Sequence, residues 1–317
     1  MTVVVAAWNR DRQIADCLDS LAVQTPPPSI IVVDDGSTDR TAAVVGDWIA
    51  GHPAIDVRLL KSDHAGPSVA RNRGVAAATT EWIAFTDSDC VARPGWIAAL
   101  VAAMAGDAVG GSGLVVQPPP RTWAGLAYAG SNRIERSGAA NRPLQLCNLI
   151  LRRDLAVSFP FDPAIGFYGE EDDLGWRLLA AGHRLTFVAD ALVEHRHEHT
   201  LGSYLRQAWR GGRGATRLNI KHRRGWGRDV RFTLLAVLAL PLGIVSGWLL
   251  AIPATFAALQ VAALLYNETR LKHKPPATAV AVLPVAAAYN LVKAASVVWH
   301  RVTMPQAQRA ALRDAAM

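Results

Sequence analysis

Ile30-Ile31-Val32-Val33-Asp34-Asp35-Gly36-Ser37-Thr38-Asp39-Arg40-Thr41 decides the fold. Four β-branched residues in a row read as a strand buried on both faces. Two acids and a glycine end it, and Thr38 or Asp39 stands where the cap of a following helix belongs. In an open parallel sheet, ligands bind outside the carboxyl ends of the strands, so acids at this point face the crevice. Asp34 and Asp35 offer oxygens that accept hydrogen bonds from a base N–H or from ribose hydroxyls. A plain turn and cap accounts for Gly36 to Thr41 but leaves the two preceding acids unexplained.

On either side the same alternation continues, which predicts an α/β domain with a largely parallel sheet over residues 1–199. Strands are expected at Thr2 to Ala7, Ser29 to Val33, Asp56 to Leu60, Trp82 to Thr86 and Val109 to Val116. Helices are expected at Arg12 to Val23, Asp39 to Ile49, Pro67 to Ala78 and Pro94 to Met104. Pro118-Pro119-Pro120 breaks the pattern and opens a loop or a change of chain direction. A second strand end carries Thr86-Asp87-Ser88-Asp89. Alternate residues of an extended chain project to one side, so Asp87 and Asp89 can grip one divalent cation, with diphosphate oxygens and water completing its shell. Taken alone, D-x-D reads equally as a loop capping a helix at Pro94-Gly95-Trp96.

These segments together resemble a family 2 glycosyltransferase of GT-A fold. Val3-Val4-Val5-Ala6-Ala7-Trp8-Asn9-Arg10 is similar to the family's opening V-V-I-P-T-Y-N-R, and Asp34 to Thr41 to its D-D-G-S-x-D-x-T. Ala70-Arg71-Asn72-Arg73-Gly74 is similar to its A-R-N-x-G, and Asp87-Ser88-Asp89 to its metal motif. Ala6 stands in place of the usual proline and Trp8 in place of tyrosine, so the base pocket is expected to differ in shape. The resemblance, over about residues 2 to 215, implies a nucleotide-sugar donor (UDP-, GDP- or dTDP-linked) contacted by Ala7, Trp8, Asn9, Asp34, Asp35, Arg71, Ser88, Asn148 and Glu170. It implies Mg²⁺ or Mn²⁺ on Asp87 and Asp89, with His195 as third ligand; His197 shares the face of His195 in an extended chain. Glu170-Glu171-Asp172-Asp173-Leu174-Gly175-Trp176-Arg177 resembles the family's E-D-x-D-L-x-x-R, which assigns the catalytic base to Glu171, with Asp172 in reserve. A carboxylate there removes the proton of the attacking acceptor hydroxyl. Gln207-Ala208-Trp209-Arg210-Gly211 carries the Q-x-x-R of processive relatives but glycine where their tryptophan stands, which implies transfer of one sugar or few.

Beyond residue 199 the character changes. Residues 200–231 hold nine Lys and Arg residues with Trp209 and Trp226 among them, a basic amphipathic segment suited to anionic headgroups. Phe232 to Tyr266 contains no charge; as one helix of roughly 35 residues at about 1.5 Å each it exceeds a ~30 Å hydrocarbon core, so a membrane hairpin is expected. Basic residues flank both ends, which places both in the cytoplasm. Ala277 to Trp299 is a third apolar stretch, interrupted by Pro284, Asn290 and Lys293, and 301–317 a tail. The sequence thus predicts a multi-pass protein of the cell membrane with its catalytic domain cytoplasmic and a lipid-linked or glycan acceptor. The apolar run at Val3 to Ala7 is too short for a signal peptide and lacks a basic lead.

Across its 317 residues the chain is 51% hydrophobic with formal charge +7, which excludes wholesale disorder. The positive residues cluster beside the apolar runs and no nucleic-acid motif occurs, so nucleic acid is not an expected partner. Cys17, Cys90 and Cys147 are far apart and lack metal-ligand spacing, which argues against a disulfide framework or a zinc site. Two rival readings are a nucleotidyltransferase, which lacks a glycine-rich, lysine-bearing loop here, and a non-catalytic membrane sugar-binding protein, which needs neither metal pair nor base.

Overall fold

The computed structural model describes residues 1–128, 144–197, 200–225, 227–239, 251–266, 269 and 274–315. Two compact units divide the chain: Met1–Pro118 with Arg133–His197, and Pro119–Asn132 with Glu198–Met317.

The first unit is an eight-stranded mixed sheet flanked by helices. In chain order it runs β1 (Thr2–Ala7), α1 (Ile14–Ala22), β2 (Ser29–Asp35), α2 (Thr41–Gly51), β3 (Val57–Ser62), α3 (Pro67–Ala77), β4 (Trp82–Asp87), β5 (Cys90–Ala92), α4 (Trp96–Ala103) and β6 (Ala108–Val116). After a 3-10 turn at Leu146–Asn148 follow β7 (Leu149–Arg152), α6 (Arg153–Ser158), α7 (Glu170–Ala180) and β8 (Arg184–His195), α5 (Trp123–Tyr128) belonging to the other unit. The strand order is β3-β2-β1-β4-β7-β6-β8-β5. Strands β3, β2, β1 and β4 are parallel, as the alternation predicts, and so are β6 and β8. The expected largely parallel sheet is corrected in its second half, where β7 runs antiparallel to β4 and β6, and β5 antiparallel to β8. Antiparallel neighbours need no helical crossover, so the strand–helix alternation does not announce them.

Period-two side-chain alternation splits the apolar residues between two layers. Val3, Val5, Ile30, Val32 and Ala84 join Ile14, Leu18, Trp48, Ile97 and Leu100 on one face. Val4, Ile31, Val33, Ile83 and Phe85 join Ala70, Val75, Leu155, Leu174 and Leu178 on the other. Each such fully buried aliphatic contributes about 1.5–3 kcal/mol. Helix α3 lies so close to β1 that a Cβ on Gly74 would stand 2.3 Å from Val4 Cγ1. The glycine of the A-R-N-x-G segment is therefore a packing requirement.

In the second unit, α8 (Leu201–Lys221) starts at a reciprocal cap between Thr200 and Ser203. It lies along α11 (Pro276–Thr303): a Cβ on Gly212 would meet Lys293 O and Ser296 Cβ at 2.6 Å, and Ser296 Oγ donates to Trp209 O at 2.6 Å. Within the stretch expected to form a hairpin, α9 (Arg228–Ala239) and α10 (Ala251–Tyr266) are helical, and residues 240–250 lie outside the described residues. The third apolar stretch is an unbroken helix: α11 runs through Pro284 for 28 residues, and among the described residues it alone is long and apolar enough to cross a membrane. The tail forms α12 (Gln306–Asp314). Arg223, Arg224, Arg301 and Arg313 line a cavity of about 470 Å³ in this unit.

Candidate active site

The carboxyl ends of β1, β2 and β4 converge, since Ala7 is in register with Asp34 and Ala6 with Asp87. Asp34 Oδ1 accepts Ser37 N at 3.1 Å and so shapes the turn at Gly36, whose φ of +72° and 2.6 Å approach to His64 N exclude a side chain. Asp35 accepts Ala65 N and Gly66 N, both at 2.9 Å, and His64 Nδ1 lies 2.9 Å from its Oδ2. Both its oxygens thus brace the loop after β3. Asn9, at φ +55°, spends its Oδ1 on Thr38 N at 2.8 Å and ties the loop after β1 to the same turn. Trp8 is 42% exposed and stacks on His64, with ring centroids 4.5 Å apart and an interplanar angle of 23°. Their rings form a flat aromatic step above the strand ends. His64 was not legible in advance, because it lies in a loop with no periodic signal; the aromatic character of Trp8 was the available hint.

Asp87 ends β4, Asp89 follows two residues later, and His195 ends β8, held beside Cys90 by the β5–β8 pairing. One ligand atom from each of Asp87, Asp89 and His195 lies within 4.8 Å of the other two. His195 Nε2 is 3.2 Å from Asp89 Oδ1; His197 Nδ1 and Arg10 Nη2 are each 3.7 Å from Asp89 Oδ2. Burial pushes the Asp89 carboxyl up, but His195, His197 and Arg10 outweigh it and hold the group well below the usual range. Burial likewise pulls the His195 imidazole down, and Asp89 reverses that, up to about 10. Two carboxylates and one imidazole form a donor set that suits Mn²⁺ or Mg²⁺. Ser88 between the two acids is buried.

Arg71, buried on α3, bridges this cluster to the acidic start of α7: Nη2 donates to Asp87 Oδ1 at 3.0 Å and Nη1 to Glu170 Oε1 at 3.2 Å. Glu170 is buried, and its Oε2 has no hydrogen-bond partner. Burial raises its pKa, with Arg71 opposing. Glu171, half-buried, is pushed up to about 8 by burial, then by Glu170 and Asp172. Asp172 is half-buried beside it on the first turn of α7, and Asp173 is committed to Arg177 at 2.9 Å.

Asn148, expected at the sugar pocket, is fully buried, accepting Trp96 Nε1 at 2.8 Å and donating to Leu114 O at 2.9 Å and Ala191 O at 2.8 Å. Its amide is saturated by the protein and ties β6, β8 and α4 together. Cys90 and Cys147, remote in sequence, meet at His195.

Acids at the ends of parallel strands, a carboxylate–imidazole cluster and an acidic helix start define a GT-A-like α/β fold. Residues 2–147 match the family model described as Glycosyl transferase family 2. Among relatives, the chain is 28% identical over 259 residues to glycosyltransferase AglE of Haloferax volcanii, covering 78% of this chain and 81% of that protein. It is 32% identical over 246 residues to the pre-mycofactocin glycosyltransferase of Mycobacterium tuberculosis, covering 70% of this chain but only 48% of that protein. The fold is shared with the mannosyltransferase PcManGT of Pyrobaculum calidifontis in complex with GDP-Man and Mn²⁺, at TM-score 0.64, 21% identity, 95% of this chain and 87% of the other.

Proposed function

We propose that the chain is a metal-dependent glycosyltransferase that moves a sugar from a nucleotide-diphospho-sugar to a lipid-linked acceptor, with inversion and without processive extension. The observation that carries it is the convergence of Asp87, Asp89 and His195 within 4.8 Å, with Arg71 linking Asp87 to Glu170. A cation held by those three would offset charge on the leaving diphosphate. Trp8 and His64 offer a stacking face for the base, and Asp34 stands at the strand end beneath it. The unpaired Oε2 of Glu170 is an acceptor for a sugar hydroxyl, because a buried oxygen left without a donor is costly. Glu171 deprotonates the acceptor hydroxyl as it attacks the anomeric carbon; its raised pKa makes it a stronger base than an ordinary carboxylate.

The known relatives are glycosyltransferases, and the fold neighbour PcManGT binds GDP-Man and Mn²⁺, which supports a nucleotide-sugar donor and divalent metal here. The apolar α11 and the arginine-lined cavity of the second unit favour a membrane setting and an acceptor bearing phosphate. We place the catalytic unit on the cytoplasmic face, where nucleotide-sugars are supplied. A panel of UDP-, GDP- and dTDP-sugars tested for Mn²⁺- or Mg²⁺-dependent hydrolysis, then for transfer to polyprenyl phosphate acceptors, decides the matter. Release of nucleoside diphosphate supports the proposal; release of pyrophosphate from a nucleoside triphosphate and a sugar 1-phosphate, assayed alongside, selects a nucleotidyltransferase, and binding without turnover a sugar-binding protein.

A further inference from the structure

Behind the carboxylates lies a second set of ligands on the same histidine. Cys90 Sγ, Cys147 Sγ and a His195 ring nitrogen lie within 4.8 Å of one another. Their placement is built into the fold: Cys90 faces His195 in the antiparallel β5–β8 register, and Thr86 Oγ1 fixes the Cys147 carbonyl at 3.0 Å. Cys90 is buried, whereas Cys147 is half-buried. The transfer proposed above uses neither thiol.

We propose that Cys90, Cys147 and His195 form a thiophilic metal site, for Zn²⁺ or a similar soft cation, that shares His195 with the Asp87–Asp89–His195 cluster. A tetrahedral ion with Zn–S bonds of ~2.3 Å has edges of roughly 3.8 Å, so the three atoms need to close by only about 1 Å. Thiolates select Zn²⁺ or Cd²⁺ over Mn²⁺ and Mg²⁺, whereas the paired carboxylates have the opposite preference. As the ion binds, both Sγ–H protons and the imidazolium proton of His195 leave to solvent, and water completes the shell. A neutral imidazole has one free lone pair, its other nitrogen carrying hydrogen, so the ring serves one cation at a time. Zinc on the sulfur side therefore removes the third ligand from the oxygen side. That consequence for turnover rests on the reading of Asp87, Asp89 and His195 as the donor's cation site; the binding itself does not.

The test titrates Cd²⁺ into the reduced, metal-free full chain and follows the ultraviolet thiolate-to-metal charge-transfer band. The band should saturate at one ion per chain, vanish in Cys147→Ser, and need more Cd²⁺ when Mn²⁺ is in excess. In a parallel assay, Zn²⁺ should inhibit Mn²⁺-supported donor hydrolysis, and Cys147→Ser should resist at least tenfold more Zn²⁺ with its uninhibited rate unchanged. Should Cys147→Ser lose its native circular dichroism, Cys147→Ala takes its place. No band in the wild type, or an equal band in the variant, overturns the site. A Cd²⁺ titration indifferent to Mn²⁺ overturns the sharing of His195. A normal band in a chain that hydrolyses no donor leaves the thiol site standing and removes the transferase reading instead.

Discussion

Glu171 joins two effects at one residue, because the burial that makes it a stronger base also keeps it protonated near neutrality. With its pKa at about 8, kcat/KM should climb with pH until Glu171 is ionised, and Glu171→Gln should lower kcat by about 10²–10⁴-fold, abolish that limb and leave donor KM nearly unchanged. A flat pH profile in the wild type would remove Glu171 as base. The stability sign follows from the same shift: the unfolded side chain titrates near 4.5, so between about 4.5 and 8 the folded state resists losing the proton. Its contribution to stability therefore falls as pH rises through that window, and denaturant melts of Glu171→Gln should lack this slope. Asn148→Ala, by contrast, should cost about 1–3 kcal/mol in denaturant melts with little change in donor KM, since its amide serves Trp96, Leu114 and Ala191. In the sequence, Asp87 and Asp89 stand out because an apolar strand ends beside them, and Glu171 because its segment resembles a family motif. It concealed the role of Asn148 because those three partners come from distant segments, and that of His64 because loops carry no period.

At the level of elements, close approach of backbones governs how the strand ends are presented. Helix α3 seats Arg71 between Asp87 and Glu170 only because Gly74 allows it onto β1 against Val4. Gly74→Ala should cost about 1–3 kcal/mol by overpacking, and Val4→Ala in the same chain should recover part of it, which a double-mutant cycle by chemical denaturation would measure. Additive losses would mean that the contact does not carry the effect. The parallel strands β1 to β4 were legible from apolar runs followed by turn residues. Strands β5 and β7 were not, since three and four residues are too few to show a period and their pairing depends on the chain returning from elsewhere.

At the level of the whole molecule, the chain joins an α/β unit to a helical one that carries α11. Hydropathy announced the change near residue 200, but it could not assign Trp123–Tyr128 to the helical unit, because that grouping depends on packing rather than composition. If α11 spans a bilayer, the protein should stay in the membrane pellet after an alkaline carbonate wash and enter solution only with detergent; release by carbonate alone would mean peripheral attachment. The antiparallel pairing of β5 with β8 has a thermodynamic corollary. Asp87 and Asp89 reach His195 only after the sheet has closed over the chain between them, so an unfolded chain offers the ion no such chelate. An ion that meets its ligands only in the folded state acts as a ballast against melting, adding about 2.7 kcal/mol at a hundredfold excess over Kd. Calorimetry across a Mn²⁺ series should therefore show Tm climbing with the logarithm of concentration, and His195→Ala should flatten that climb.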